Sequence, residues 1–133
     1  MFEPRTPILV VDDANTIRSI FVKTLKNMGF LSIDEAHDGK EAWEMMGVVN
    51  PPFGLIICDW NMPNMTGLDL LKAMRSDARF NHLPFLMLTA ENDSAQVLEA
   101  IKAGVTNYVV KPFTSELLTQ KLQNTYQKVN ARR

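Results

Sequence analysis

Four short runs of apolar residues, each stopped by a charged or hydroxyl side chain, constrain this chain more than anything else in it. Pro7-Ile8-Leu9-Val10-Val11 stops at Asp12-Asp13, and Phe53-Gly54-Leu55-Ile56-Ile57-Cys58 stops at Asp59. Phe85-Leu86-Met87-Leu88 stops at Thr89, and Tyr108-Val109-Val110 stops at Lys111. A strand with one wet face alternates apolar and polar residues, whereas these runs do not, so both faces of each strand are expected to be covered, as in a parallel sheet. A weaker, partly alternating run, Leu31-Ser32-Ile33-Asp34-Glu35-Ala36, reads as a strand nearer an edge.

Amphipathic helices fill the gaps. Their predicted covering stripes are Ile17, Ile20, Phe21, Leu25 and Met28 (closed by Gly29); Ala42, Met45, Met46 and Val49; Leu68, Leu71 and Met74; Val97, Ala100 and Ile101 (closed by Gly104); and Leu118, Leu122, Thr125 and Val129. Asp38 with Glu41, and Thr66 with Asp69, have the spacing of helix-start caps. Five βα units in succession predict an α/β fold, a single doubly wound parallel sheet with helices on both faces. One domain is expected over 1–133, with a core of about 7–129, a loose arm at 1–6 and a tail at 130–133.

Composition narrows the class of function. With 133 residues, 46% apolar and 22% charged, the chain resembles an ordinary globular domain. A formal net charge of -1 gives no field directed at nucleic acid or a membrane surface. The lone Cys58 is expected to be buried filler, which suits the reducing cytoplasm. No apolar run is long enough to span a bilayer.

Chemistry is expected where ligands bind open α/β sheets, beyond the carboxyl ends of the strands. There the topology would gather Asp12, Asp13, Asp59, Thr89 and Lys111 from distant segments. Three carboxylates at close quarters raise one another's pKa unless a cation sits among them. An all-oxygen set without His or Cys points to Mg2+ rather than zinc, and His37 and His82 read as surface residues. Lys111, held extended by Pro112, can pair with a carboxylate at rest and with a phosphoryl oxygen afterwards. Thr89 can donate its hydroxyl to the same group. Asp12-Asp13 suits joint cation holding, which leaves Asp59 as the nucleophile able to form an acyl phosphate. Each residue also has a plainer role: a cap for the Asp12-Asp13 pair, a turn for Asp59, a cap for Thr89, a surface lysine for Lys111. Only their joint placement favours the chemical one. Tyr108 reads equally as core, and Trp60 as a partly exposed neighbour of Asp59. Met62 and Met65 read as packing.

Four segments in order, Val10-Val11-Asp12-Asp13, Asp59-Trp60-Asn61-Met62-Pro63-Asn64-Met65-Thr66-Gly67, Leu88-Thr89-Ala90-Glu91 and Tyr108-Val109-Val110-Lys111-Pro112-Phe113, resemble the response-regulator receiver family. Among its members, the stand-alone chemotaxis regulators are the nearest in kind. The resemblance implies strand order 2-1-3-4-5 and phosphoryl transfer from a histidine kinase to Asp59. It implies Mg2+ on Asp13, Asp59 and the backbone carbonyl of Asn61, with Asp12 acting through water, and a cis bond between Lys111 and Pro112. It further implies a switch in Thr89 and Tyr108, tuning of acyl-phosphate lifetime by Asn61 and Glu91, and a partner face including Val97, Tyr108 and Lys121. Expected partners are the kinase, a target protein such as the flagellar motor switch, and a phosphatase, with the regulator itself a monomer. Ser94 and Asn124 stand where that resemblance calls for lysine. Alternatives at this point are a receiver in a phosphorelay outside chemotaxis, an aspartyl-nucleophile phosphohydrolase and a flavodoxin-shaped binding module. The second would want an aspartate where Asn61 stands. The third would want a phosphate-binding loop where Asp12-Asp13-Ala14-Asn15 is acidic.

Overall fold

The computed structural model describes residues 1–48, 53–90 and 94–131. Ten elements alternate: β1 (Ile8–Val11), α1 (Asn15–Asn27), β2 (Ile33–Ala36), α2 (Gly39–Val48), β3 (Leu55–Asp59), α3 (Gly67–Arg75), β4 (Phe85–Ala90), α4 (Ser94–Lys102), β5 (Asn107–Lys111) and α5 (Ser115–Ala131). The strands form one parallel sheet in the order β2-β1-β3-β4-β5. β1, β3 and β4 are interior, and their apolar residues, apart from Ala90 at the end of β4, are buried on both faces. β2, at an edge, exposes Asp34 and Glu35.

Strand side chains alternate between faces, so the sheet separates two cores. Leu9, Val11, Ile56, Cys58, Phe85 and Met87 pack with Ala42, Met46, Leu71, Met74 and Ala100 of α2, α3 and α4. Ile8, Val10, Leu55, Ile57, Leu86, Leu88 and Val109 pack with Phe21, Val22, Leu25, Leu118 and Leu122 of α1 and α5. Each fully buried Leu or Ile contributes about 1.5–3 kcal/mol, so these two layers dominate the stability of the fold.

Several expectations need correction. Ile17 and Ile20 are 46% and 62% exposed; Val22 takes the covering place beside Phe21 and Leu25, so the buried stripe of α1 is rotated from the one expected. Ile101 is 55% exposed, leaving Ala100 as the buried residue of α4. The arm at 1–6 is docked: Phe2 is buried against Tyr126, ring centroids 5.2 Å apart, and Leu31 donates its amide to the Pro4 carbonyl. Asn130 and Ala131 belong to α5 rather than to a tail. Both expected caps form. Thr66 and Asp69 make a reciprocal capping box at α3, and Asp38 accepts from the Glu41 amide at 2.8 Å. Val49 lies outside the described residues.

Candidate metal and phosphoryl site at the carboxyl rim

Strand register builds the site. Val11 pairs with Cys58, so Asp12 emerges beside Asp59 one residue on. Asp59 pairs with Leu88, placing Thr89 just beyond it, and Ala90 pairs with Lys111. Four strand ends far apart in sequence thus meet at one rim, because every parallel strand ends on the same side.

Within this rim, Asp12, Asp13 and Asp59 each offer a carboxylate oxygen, all within 4.8 Å of one another. Asp12 and Asp59 are buried, while Asp13 is exposed. Lys111 reaches in from the end of β5, its Nζ 2.9 Å from Asp59 Oδ1 and 3.7 Å from Asp12 Oδ2. The peptide bond between Lys111 and Pro112 is cis.

The electrostatics are under strain. Burial, reinforced by the nearby Asp12 charge, raises the pKa of Asp59 against the opposing pull of Lys111. One ammonium does not neutralise two buried carboxylates and an exposed third. Asp12 Oδ1 accepts from the Ala14 amide at 2.9 Å, but Asp12 Oδ2 is buried without a hydrogen-bond partner among the described residues. The donor set therefore fits a hard divalent cation: all oxygen, clustered, excess negative, with one carboxylate oxygen still lacking a donor. Thr89 Oγ1 is likewise buried and without a hydrogen-bond partner among the described residues. A hydroxyl in that state is poised to donate to an oxygen arriving at the rim.

The loop after β3 shapes the floor. The Gly67 amide donates to the Trp60 carbonyl and the Trp60 amide to Leu88. A Cβ on Gly67 would collide with the carbonyl oxygen of Asp59, so the chain turns tightly beneath the acceptor. Trp60 is buried, 8% exposed, and not partly exposed as expected. Met62 is buried and Met65 packs against the same core. Asn61 is exposed two residues past Asp59. Glu91 lies outside the described residues.

Away from the acids, Tyr108 is half-buried against the core of the α2, α3 and α4 face. The Lys121 ammonium lies 4.9 Å from its ring centroid, a cation–π contact. Tyr108 lines an open groove of ≈ 400 Å³ with Ser94, Val97, Leu98 and Ile101. The residues expected to form a partner face therefore do adjoin one another. Asn124 is exposed on α5. His37 and His82 are exposed, and the described side-chain partners of His37 are Asp38 and Glu41, not the clustered acids; Cys58 is buried with its thiol pushed up by burial and by Asp59.

Sequence reasoning missed one neighbour of the acids. Arg18 donates through one terminal nitrogen to the Asp12 backbone carbonyl at 2.6 Å, through the other to Asn15 Oδ1 at 2.7 Å, and through Nε to Glu35 at 3.0 Å. A lone arginine inside a helical stripe has no sequence signature for such a role. Its only signal was position, six residues past Asp12 in the first turn of α1.

The same fold occurs in known proteins. The response regulator receiver domain family matches residues 8–123. The chemotaxis protein CheY of Pseudomonas aeruginosa is 48% identical over 123 residues, covering 92% of this chain and 98% of that protein. CheY1 of Helicobacter pylori strain 26695 is 49% identical over 116 residues, 87% and 93% of the two chains. Among solved structures, chemotaxis response regulator CheY4 of Vibrio cholerae superposes with a TM-score of 0.82 at 36% identity, covering 91% of this chain and 98% of that one. No described helix is long and apolar enough to cross a membrane. The chain belongs to the response regulator receiver domain family, and its relatives there include chemotaxis proteins of the CheY kind.

Proposed function

We propose that this chain, as one unit spanning 1–133, is a phosphorylation-dependent switch in which Asp59 accepts a phosphoryl group from a histidine kinase. The observation that carries this reading is the ammonium of Lys111 set between Asp59 and Asp12 beside an acidic cluster with an unsatisfied buried oxygen. Asp12, Asp13, Asp59 and the Asn61 backbone carbonyl would hold Mg2+, which would supply the charge neutralisation that three carboxylates and a transferring phosphoryl group require.

The chain's own residues do the rest. An Asp59 oxygen forms its bond to phosphorus as the donor's bond to phosphorus breaks. Lys111, already paired with Asp59, exchanges that carboxylate for a phosphoryl oxygen. Thr89 then donates its hydroxyl to the phosphoryl group, and Tyr108 turns into the space Thr89 leaves. Asn61 and Glu91 set how fast water removes the group. The protein is a phosphoacceptor that promotes its own transfer, not an enzyme acting on a separate substrate.

Output would follow from the groove at Val97, Tyr108 and Lys121, read by a cytoplasmic partner whose affinity differs between the two states. The relatives' chemotaxis role favours the flagellar motor switch, with a phosphatase ending the signal. Ser94 and Asn124, exposed where lysine is expected for that target, support the competing reading of a phosphorelay outside chemotaxis. Copurification with phosphodonor-treated protein, against Asp59→Asn, separates the two.

Trp60, adjoining Asp59 in sequence, is the natural reporter. Mg2+ is expected to change its fluorescence and a small phosphodonor to change it again. Asp59→Asn is expected to remove the second response while retaining the fold. A full second response in Asp59→Asn would eliminate Asp59 as acceptor.

A further inference from the structure

The peptide group joining Asp12 to Asp13 links two of the three clustered carboxylates, and its carbonyl is held by a single side chain. Arg18 Nη1 donates to that carbonyl at 2.6 Å. The guanidinium is itself immobilised, by Glu35 on β2 at 3.0 Å and by Asn15 at the start of α1 at 2.7 Å. Its side chain is 14% exposed. Three acceptors from three segments engage all three nitrogens of a planar fork that a lysine cannot mimic.

We propose that Arg18 is a positioning residue for the cation site: by fixing the Asp12–Asp13 peptide plane it orients the neighbouring carboxylates toward a common centre. This rests on the Mg2+ reading of the cluster. Rotation of an unrestrained peptide would swing the Asp13 carboxylate, which is exposed and has no other anchor among its described contacts, relative to Asp12. The Asp12 side chain has its own restraint, the bond from the Ala14 amide; Arg18 restrains the backbone between the two.

The proposal predicts a sign opposite to that of simple charge. Removing a cation from beside an acidic cluster should strengthen Mg2+ binding by Coulomb attraction alone. Loss of positioning should weaken it, by about tenfold if Arg18 acts as supporting partners of metal ligands commonly do.

Two variants separate these effects. Arg18→Gln removes the charge, and Arg18→Lys keeps the charge but loses the fork. Calorimetric titration of wild type and both variants with Mg2+ alone, without phosphodonor, gives affinity directly. Modification by a small phosphodonor, measured against Mg2+ concentration, should show a raised half-saturating concentration with the rate at saturation retained. Both variants should bind Mg2+ more weakly, Arg18→Lys included. Should Arg18→Gln unfold, Arg18→Lys, which keeps the charge on the same helix, decides. Unchanged or tighter binding in the folded variants would overturn the role of Arg18. Absence of binding by wild type would instead overturn the Mg2+ reading itself.

Discussion

At the amino ends of β4 and β5 a half-buried arginine is fully employed. Arg75 donates to the carbonyls of Gly104 at 2.8 Å, Leu83 at 2.9 Å and Phe80 at 3.3 Å, and to Thr106 Oγ1 at 3.4 Å. Thr106 Oγ1 in turn accepts from the buried Phe85 amide at 3.0 Å. At the carboxyl ends of the same strands, Thr89 Oγ1 is buried without a described hydrogen-bond partner, and Lys111 faces more carboxylates than it can neutralise. Two threonines in equally buried surroundings therefore do different work. One completes a hydrogen-bonded network; the other has no hydrogen-bond partner among the described residues, as the proposed phosphoryl-binding role requires. Folding has relieved polar strain at one end of the sheet and kept it at the other, where binding can relieve it.

The largest consequence should come from removing the counter-charge at the strained end. Lys111→Met leaves Asp12 and Asp59 facing each other without an ammonium, and stability at pH 7 should fall by about 3 kcal/mol, read by urea unfolding. The loss should shrink in acid as the carboxylates protonate. For wild type the sign follows from Asp59. Its pKa is raised in the fold, so the native state holds a proton that the unfolded state has already released. Asp59 should therefore cost stability as pH rises from its unfolded value through its raised one, and Asp59→Asn should cost none in that window. The difference curve, wild type minus Asp59→Asn, isolates this from Asp38, whose carboxyl is held low chiefly by the Glu41 amide and slopes the other way. A flat difference curve would remove the electrostatic contrast.

Smaller effects test the satisfied end. Arg75→Ala should strip donors from three carbonyls and cost about 2 kcal/mol while leaving Mg2+ affinity unchanged. Thr106→Val deprives the Phe85 amide of its acceptor and should cost about 1 kcal/mol. Thr89→Val, the matched change at the strained end, removes a buried hydroxyl that has no described hydrogen-bond partner and should leave stability unchanged or raise it by up to about 1 kcal/mol, yet uncouple Tyr108 from phosphodonor treatment, read by tyrosine-ring NMR. Equal destabilisation by the two threonine variants would abolish the distinction between the ends.

Much of this was legible from residues alone. Unalternated apolar runs marked β1, β3 and β4 as strands buried on both faces; the same reading failed for β5, an edge strand whose Tyr108 and Val110 are only half-buried, and parallel topology carried Asp12, Asp59, Thr89 and Lys111 to one rim. Helix orientation was less legible. Ile17, Ile20, Phe21, Val22 and Leu25 contain two overlapping stripes, and only packing against β1 and α5 selects the one with Val22. Phe2 is a lone aromatic in a polar arm, and its burial depends on Tyr126 more than a hundred residues away. Trp60 is buried in the core of the α2, α3 and α4 face, with its carbonyl held by the Gly67 amide across a turn that only glycine fits. Arg18 and Arg75 act on backbone carbonyls, and carbonyls are invisible in a pattern of side chains.

The central claim is tested most directly by locating the phosphoryl group. The protein is treated with a small phosphodonor in Mg2+ and, in parallel, with a chelator, and the adduct is mapped by peptide mass spectrometry. The account predicts one adduct, on Asp59, formed in Mg2+ and lost with the chelator. An adduct elsewhere, or equal incorporation without the cation, would contradict it.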